Sequence, residues 1–395
     1  MKIKASSLIL FFCSLGLITE SFSKLRIGGI FGPAEFFFVL AIIITCLNPT
    51  KLNPQQFYVQ KIFKRFFLLW FLILIIGTGF NFIFLQNVNF TYIHNSVAFL
   101  LNMFLIILVF VGFNKEQNLR LIKYFTAYVA VINFLLYVSG ISFFWYSIRF
   151  SGLAVNPNQL ALTLAPLPFF GLYLICHYPE DLFKRLFWGG ITLISCIVGW
   201  ATQSKSLHTA YLSILPIFIL WLLFKKAKSP YLRGIFLLFL ISFIILFGVL
   251  LMSNLGAFTL FNLYGNHGAS EANVRFLLWA IAFWNTLTMS PIFGWGPGSL
   301  VHLGSTALTG TSDTANTYVG VFVQSGICGI LLFGWLFWTL FGRIRKMKMW
   351  LDAMPLIALM VFIIFQYMLR HPIFWFVLVW TFLNVYQHRL VGSEG

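Results

Sequence analysis

The chain has 395 residues, 60% of them hydrophobic and 9% charged, with 26 Lys+Arg against 9 Asp+Glu for a net charge of +17. A soluble domain carries about 25% charged residues, so this composition excludes a soluble globular enzyme. It also turns the basic excess into a question of membrane sidedness before one of nucleic-acid binding, and no nucleic-acid partner is expected.

The apolar residues come in long runs that can cross a hydrocarbon core about 30 Å thick at 1.5 Å per residue. These runs are apolar all round, unlike the alternating segments of a transmembrane β-barrel. In chain order, twelve spans are predicted at 6–21, 33–49, 66–85, 95–113, 121–140, 156–177, 186–202, 206–224, 234–253, 317–341, 353–369 and 372–388. The expected fold is an all-α polytopic membrane protein, residues 1–395 forming a single transmembrane domain.

Lys2 and Lys4 before the first span and Ser21-Phe22-Ser23 after it resemble a cleaved leader, but the segment is read as a retained span. The five cysteines lie in or beside spans without a C-x-x-C pair, so neither a disulfide framework nor a zinc site is supported.

Placing both termini in the cytoplasm puts twenty of the 26 basic residues on the cytoplasmic side, at every cytoplasmic loop. The six exceptions are Lys24, Arg26, Arg149, Lys205, Arg275 and Arg370.

Residues 254–316 form a long external loop between spans nine and ten, far beyond the usual length of a helix–helix connection. Its middle, Val274 to Met289, reads as a helix lying in the outer interface, with Trp279 and Trp284 suited to that depth. A short re-entrant span would upset the charge sorting. Ser290-Pro291 ends this helix, and Gly294, Gly296, Pro297 and Gly298 read as a turn-rich connection.

Arg149, Lys205, Arg275 and Arg370 come from separate external junctions at the ends of apolar segments, placed to converge on one face. Each alone could snorkel to lipid headgroups. Together they call for an anion, and arginine's planar fork with lysine's point charge suits a pyrophosphate. Asn156 and Asn158 flank Pro157 at the start of span six, where a helix cap accounts for part of the pattern.

These residues carry a resemblance to the O-antigen polymerase and ligase family (Wzy and WaaL types). The matching stretches are Arg149-x-x-Gly152 with Asn156-Pro157-Asn158; Ser204-Lys205; Arg275 through Ser290-Pro291-x-x-Gly294-x-Gly296; and Ala315-Asn316-Thr317-Tyr318 followed by Gly326-x-x-Gly329. With the twelve-span layout, the resemblance covers nearly the whole chain.

It implies a glycosyltransferase of the bacterial inner membrane, multi-pass, with its site facing the periplasm, so that 254–316 is a periplasmic loop. The implied partners are a polyprenyl-pyrophosphate-linked oligosaccharide as donor and a second lipid-linked glycan or lipid A-core as acceptor, within membrane lipids and beside a chain-length regulator. Arg149, Asn156, Asn158, Lys205, Arg275 and Arg370 are the implied substrate-binding residues.

Two departures stand out. The family's usual Ser-Arg is Ser204-Lys205 here, and its histidine before the asparagine is Ala315, which can neither accept a proton nor orient a hydroxyl. Three explanations stay open: a polymerase that does not use that histidine, an engineered inactive variant, or a base elsewhere.

Loss of a lipid pyrophosphate needs charge stabilisation, and the attacking sugar hydroxyl needs one general base. Asp313, His302, His371 and Glu271 are candidates for that base, with Arg275 and Asn316 beside them in the expected catalytic set. No carboxylate or histidine cluster has metal-ligand spacing, so a reaction without metal or other cofactor is expected. The polymerase is the first reading and the ligase, or a related oligosaccharyltransferase, the second. A lipid-linked sugar transporter is less favoured because its ionisable residues or broken helices should lie near the membrane midplane.

Overall fold

The computed structural model describes residues 5–27, 31–85, 90–178, 181–226, 267–298 and 316–387. Their helices are α1 (Ala5–Thr19), α2 (Pro33–Leu47), α3 (Pro54–Leu85), α4 (Phe90–Phe104), α5 (Lys115–Val138), α6 (Pro157–Leu164), α7 (Leu167–His177), α8 (Leu182–Ala201), α9 (Lys205–Lys226), α10 (His267–Met289), α11 (Thr317–Met347), α12 (Trp350–Phe362) and α13 (Pro372–Gln387). A two-residue β-hairpin, β1 (Trp145–Tyr146) and β2 (Arg149–Phe150), joins α5 to α6. Among the described residues six helical stretches are long and apolar enough to cross a membrane. The protein is a multi-pass membrane protein, and many of its large apolar side chains, such as Leu68, Ile75, Leu193 and Trp338, face outward as lipid contact requires.

α13 runs through the middle of the bundle, with every residue from Pro372 to Tyr386 buried. A helix apolar on all faces belongs in such a position. Aromatic rings fill the space around it: Trp375 lies 5.1 Å from Phe67 and 5.8 Å from Trp70, and Phe333 stands edge-on to Trp70 at 5.4 Å. Close packing of this kind, more than water exclusion, holds helices together in lipid.

Three predicted helices break or shift, and α3 begins at Pro54, twelve residues before its predicted span. The stretch 156–177 is broken into α6 and α7 at Ala165-Pro166, where a proline cannot continue the helical ladder. The expected span 353–369 is helical only as α12, Trp350–Phe362; residues 363–371 are irregular. At 13 residues α12 is about 20 Å long, and the irregular segment after it is buried in the bundle at Ile363, Tyr367, Met368, Leu369 and His371. Irregular backbone at that depth needs protein partners. They are present: Thr317 N–H donates to Ile363 O, Thr317 Oγ1 donates to Gln366 O at 2.6 Å and accepts from Met368 N at 3.0 Å, Asn102 Nδ2 donates to Arg370 O at 3.0 Å, and Trp375 Nε1 donates to Leu369 O at 2.7 Å. Thirdly, the helix expected from Val274 begins at His267. The predicted span 234–253 lies outside the described residues.

The glycines after α10 form more than a turn-rich connection. Residues 290–298 are wedged between α3 and α11, where α11 kinks at Gly326 (φ +61°). In an unbroken helix the N–H groups of Ile327 and Cys328 would bond to Val323 and Gln324. Here they donate to Pro291 O and Ile292 O, and the carbonyls of Val323 and Gln324 accept from Trp295 and Gly296. A side chain at Gly326 would collide with the Ile292 carbonyl, and a Cβ at Gly294 would lie 2.6 Å from the Gln324–Ser325 peptide. Asn81 of α3 closes the other side, its Nδ2 donating to Trp295 O at 3.1 Å. The spacing from Ser290-Pro291 to Gly296 and the kink at Gly326 are thus two halves of one joint.

Candidate functional site

One end of the bundle gathers the connections 20–27, 139–156, 202–204 and 363–371. Lys24 ties the first two together: its Nζ donates to Phe143 O at 2.5 Å and Gly152 O at 3.0 Å and sits over the Phe143 ring. Ser23 Oγ adds a bond to Gln159 Oε1 at 2.5 Å. Arg149 ties the second to the third. Its Nε donates to Thr202 O at 3.1 Å and an Nη to Asn158 Oδ1 at 3.0 Å. Gln366 Nε2 reaches Ser206 Oγ at 3.4 Å and links the fourth.

Two cavities open within this end. The first, about 110 Å³, is lined mainly by polar side chains: Asn156, Asn158, Gln159, Gln366, Arg370 and His371, with Leu162, Phe362, Tyr367 and Met368. The second, about 250 Å³, lies between α2 and α4 and is lined by Glu20, Arg26, Glu35, His94, Gln159, Arg370 and His371 above an apolar wall that includes Val39, Val97 and Leu101. Gln159, Arg370 and His371 stand between the two.

The first cavity can receive an anion or a sugar, with one guanidinium and four amide side chains converging on it. Asn156 caps α6 by accepting from Gln159 N at 3.0 Å. Tyr367, whose hydroxyl accepts from Gln324 Nε2 at 2.7 Å, stands under Arg370, with the guanidinium 5.9 Å above the ring.

In the second cavity Arg26 and Glu35 form an ion pair at 2.6 Å, and His371 Nδ1 lies 3.1 Å from Glu20 Oε1. Glu20 follows the last turn of α1 and is almost wholly buried. Burial pushes its carboxyl up to about 7, opposed by a lowering from the Arg26 guanidinium. Among the described residues no group of three His, Cys, Asp or Glu side chains is placed to hold a metal ion.

The expected residues meet this geometry unevenly. Asn156, Asn158, Arg370 and His371 come together. Arg149 lines neither of these two cavities; it donates to the Thr202 carbonyl and to Asn158 Oδ1, which places it beside Asn158. Lys205 opens α9 beside Ser206 and is likewise absent from the cavity walls. Asn316 caps α11, its Oδ1 accepting from Val319 N at 3.0 Å. Asp313, Ala315, His302 and Glu271 lie outside the described residues, as does the side chain of Arg275.

Sequence reasoning missed Glu20, Arg26, Gln159, Gln366 and Tyr367 as parts of the site. The signals were an acid and an arginine in the first external turn and a glutamine inside a supposed apolar span. No known protein family and no curated protein matches the chain.

Proposed function

We propose that the protein is a membrane glycosyltransferase that moves a glycan from a polyprenyl-pyrophosphate carrier to an acceptor hydroxyl, as a surface-polysaccharide polymerase of the O-antigen type. The observation that carries this reading is the polar cavity where Arg370, His371, Asn156, Asn158 and Gln366 converge, beside a second cavity with an apolar wall. The resemblance of the motif residues and the charge sorting support it. On this reading the chain crosses the bacterial inner membrane twelve times with both termini cytoplasmic, α10 lies along the outer interface, and the cavities face the periplasm.

The chemistry follows from the charges. Arg370 brings a guanidinium charge to the cavity wall for the pyrophosphate, and the amides of Asn158 and Gln366 extend that set. Arg149 fixes Asn158, so its charge reaches the leaving group at one remove. As the acceptor oxygen attacks the anomeric carbon, the bond to the pyrophosphate oxygen breaks. The electron pair leaves with the phosphate, where the guanidinium stabilises it. The acceptor proton needs a base, and His371 is the titratable group that lines both cavities.

Expression in strains lacking either the polymerase or the ligase tests the reading. A restored lipopolysaccharide ladder in the polymerase-deficient strain, lost with Arg370→Ala at equal protein level, is expected. Restoration in the ligase-deficient strain alone would make the protein a ligase, and restoration in neither would overturn the proposal.

A further inference from the structure

We infer that Glu20 is the positioning residue that holds His371 as acceptor of the proton released by the attacking hydroxyl, an inference that rests on the transferase reading above. The two residues are 351 positions apart, yet His371 Nδ1 lies 3.1 Å from Glu20 Oε1, with both side chains nearly removed from solvent. The backbone on either side is fixed independently of this contact. His371 N donates to Met368 O, Asn102 and Trp375 hold the carbonyls of Arg370 and Leu369, and Pro372 begins α13. Glu20 sits at the end of α1, whose neighbour Ser23 is bound to Gln159.

A buried carboxylate without compensation is costly, and Glu20 Oε2 makes no hydrogen bond. The Arg26 guanidinium goes to Glu35 at 2.6 Å, and among the described residues the His371 imidazole is the direct partner of the Glu20 carboxyl group. Buried acids of this kind cluster at functional sites, which points to a part in the chemistry of the ring beside it.

A carboxylate on Nδ1 places the imidazole proton there and leaves the Nε2 lone pair to act as base, then stabilises the imidazolium that forms. The balance is complete: the hydroxyl oxygen bonds to the anomeric carbon, its proton passes to Nε2, and the carbon–oxygen bond to the pyrophosphate breaks with its electrons on phosphate. The other charged or titratable groups around the cavity are Arg26 and Glu35 from the first connection and α2, His94 from α4, and Arg370 beside His371. Arg370 and His371 line both cavities, whereas Glu20 lines the second alone.

The test uses the full-length protein in nanodiscs, with lipid-linked repeat units extracted from the polymerase-deficient strain and inorganic pyrophosphate as competing inhibitor. Glu20→Gln is expected to lower kcat about 100-fold or more and to flatten the acid limb of the pH–rate profile, with pyrophosphate inhibition unchanged within threefold. Glu20→Asp is expected to recover part of the rate. On a His371→Gln background, Glu20→Gln should cost almost nothing further, because the two act as a unit. Full rate and an unaltered pH profile in Glu20→Gln would overturn the inference while leaving the transferase reading intact. So would a rate loss matched by equal loss of pyrophosphate inhibition and of thermal stability, the mark of a structural role. A wild-type protein that transfers nothing overturns both.

Discussion

Thr317 holds the irregular segment that leads into Arg370 and His371 at three points, Ile363, Gln366 and Met368. Its hydroxyl is buried and bonded twice, to Gln366 O at 2.6 Å and from Met368 N at 3.0 Å. Thr317→Val keeps the shape and removes both bonds, leaving one carbonyl and one N–H without their partner. Each such group costs about 1–3 kcal/mol. Taking the lower half of that range for both, the irregular segment 363–371 is destabilised by about 3 kcal/mol, or about 100-fold in its local opening equilibrium. Hydrogen exchange read by mass spectrometry on the full-length protein in nanodiscs should therefore show peptides from 363–371 exchanging about 100-fold faster, with α13 little changed. Thr317→Ser, which keeps the hydroxyl, should stay within a few fold of wild type. If Thr317→Val exchanges like wild type, the hydroxyl does not hold the segment, and the account of how the site is positioned is wrong.

Gly326→Ala forces a side chain into a left-handed backbone and against the Ile292 carbonyl. A loss of about 2–4 kcal/mol, seen as a lower melting temperature and greater protease access at 290–298, is expected. Arg149→Lys keeps the charge but loses the paired contacts to Thr202 and Asn158. It should weaken pyrophosphate inhibition several-fold, whereas Arg370→Ala should abolish it. The raised pKa of Glu20 also makes stability depend on pH. Folding binds a proton at Glu20 between the ordinary value of 4.5 and about 7, so its contribution is present below about 4.5 and is lost as pH rises through 7. Melting curves of Glu20→Gln should show a shallower decline across that window.

Hydropathy made the helices legible because each crossing must satisfy its own backbone and expose apolar side chains to lipid. It failed where the backbone is satisfied by distant residues. Between Ile363 and Leu369, apolar Phe365, Met368 and Leu369 preserve the average of a span, while the hydrogen bonds that permit the break come from Asn102, Thr317 and Trp375. No window along the chain contains those partners together. Arg370 and His371 were legible because a charge at an apolar boundary asks for an explanation. Glu20 was visible as an acid in the first external turn, but its partner lies 351 residues away. Arg149 stood out as a charge at an apolar boundary, but its spacing reveals nothing of the Thr202 carbonyl that it meets.

The joint at Gly326 separates α11 into two pieces that meet through the wedge at 290–298 and not through a continuous helical ladder. In a continuous helix, one inserted residue turns everything beyond it by about 100°. Here the piece Thr317–Ser325 takes its phase from the wedge at 290–298 and from the carbonyls it has exchanged with it. The longer piece that runs on to Met347 takes its phase from Phe66, Trp70 and Trp375 around Phe333. A one-residue insertion just beyond Cys328 should therefore scramble the aromatic core yet leave Asn316 and Thr317 facing the same way. An insertion between Thr317 and Val323 should turn both away from the segment they hold. The fold has placed the end that carries Asn316 and Thr317 on a separate register from the aromatic core of the bundle, so the two can vary without resetting each other.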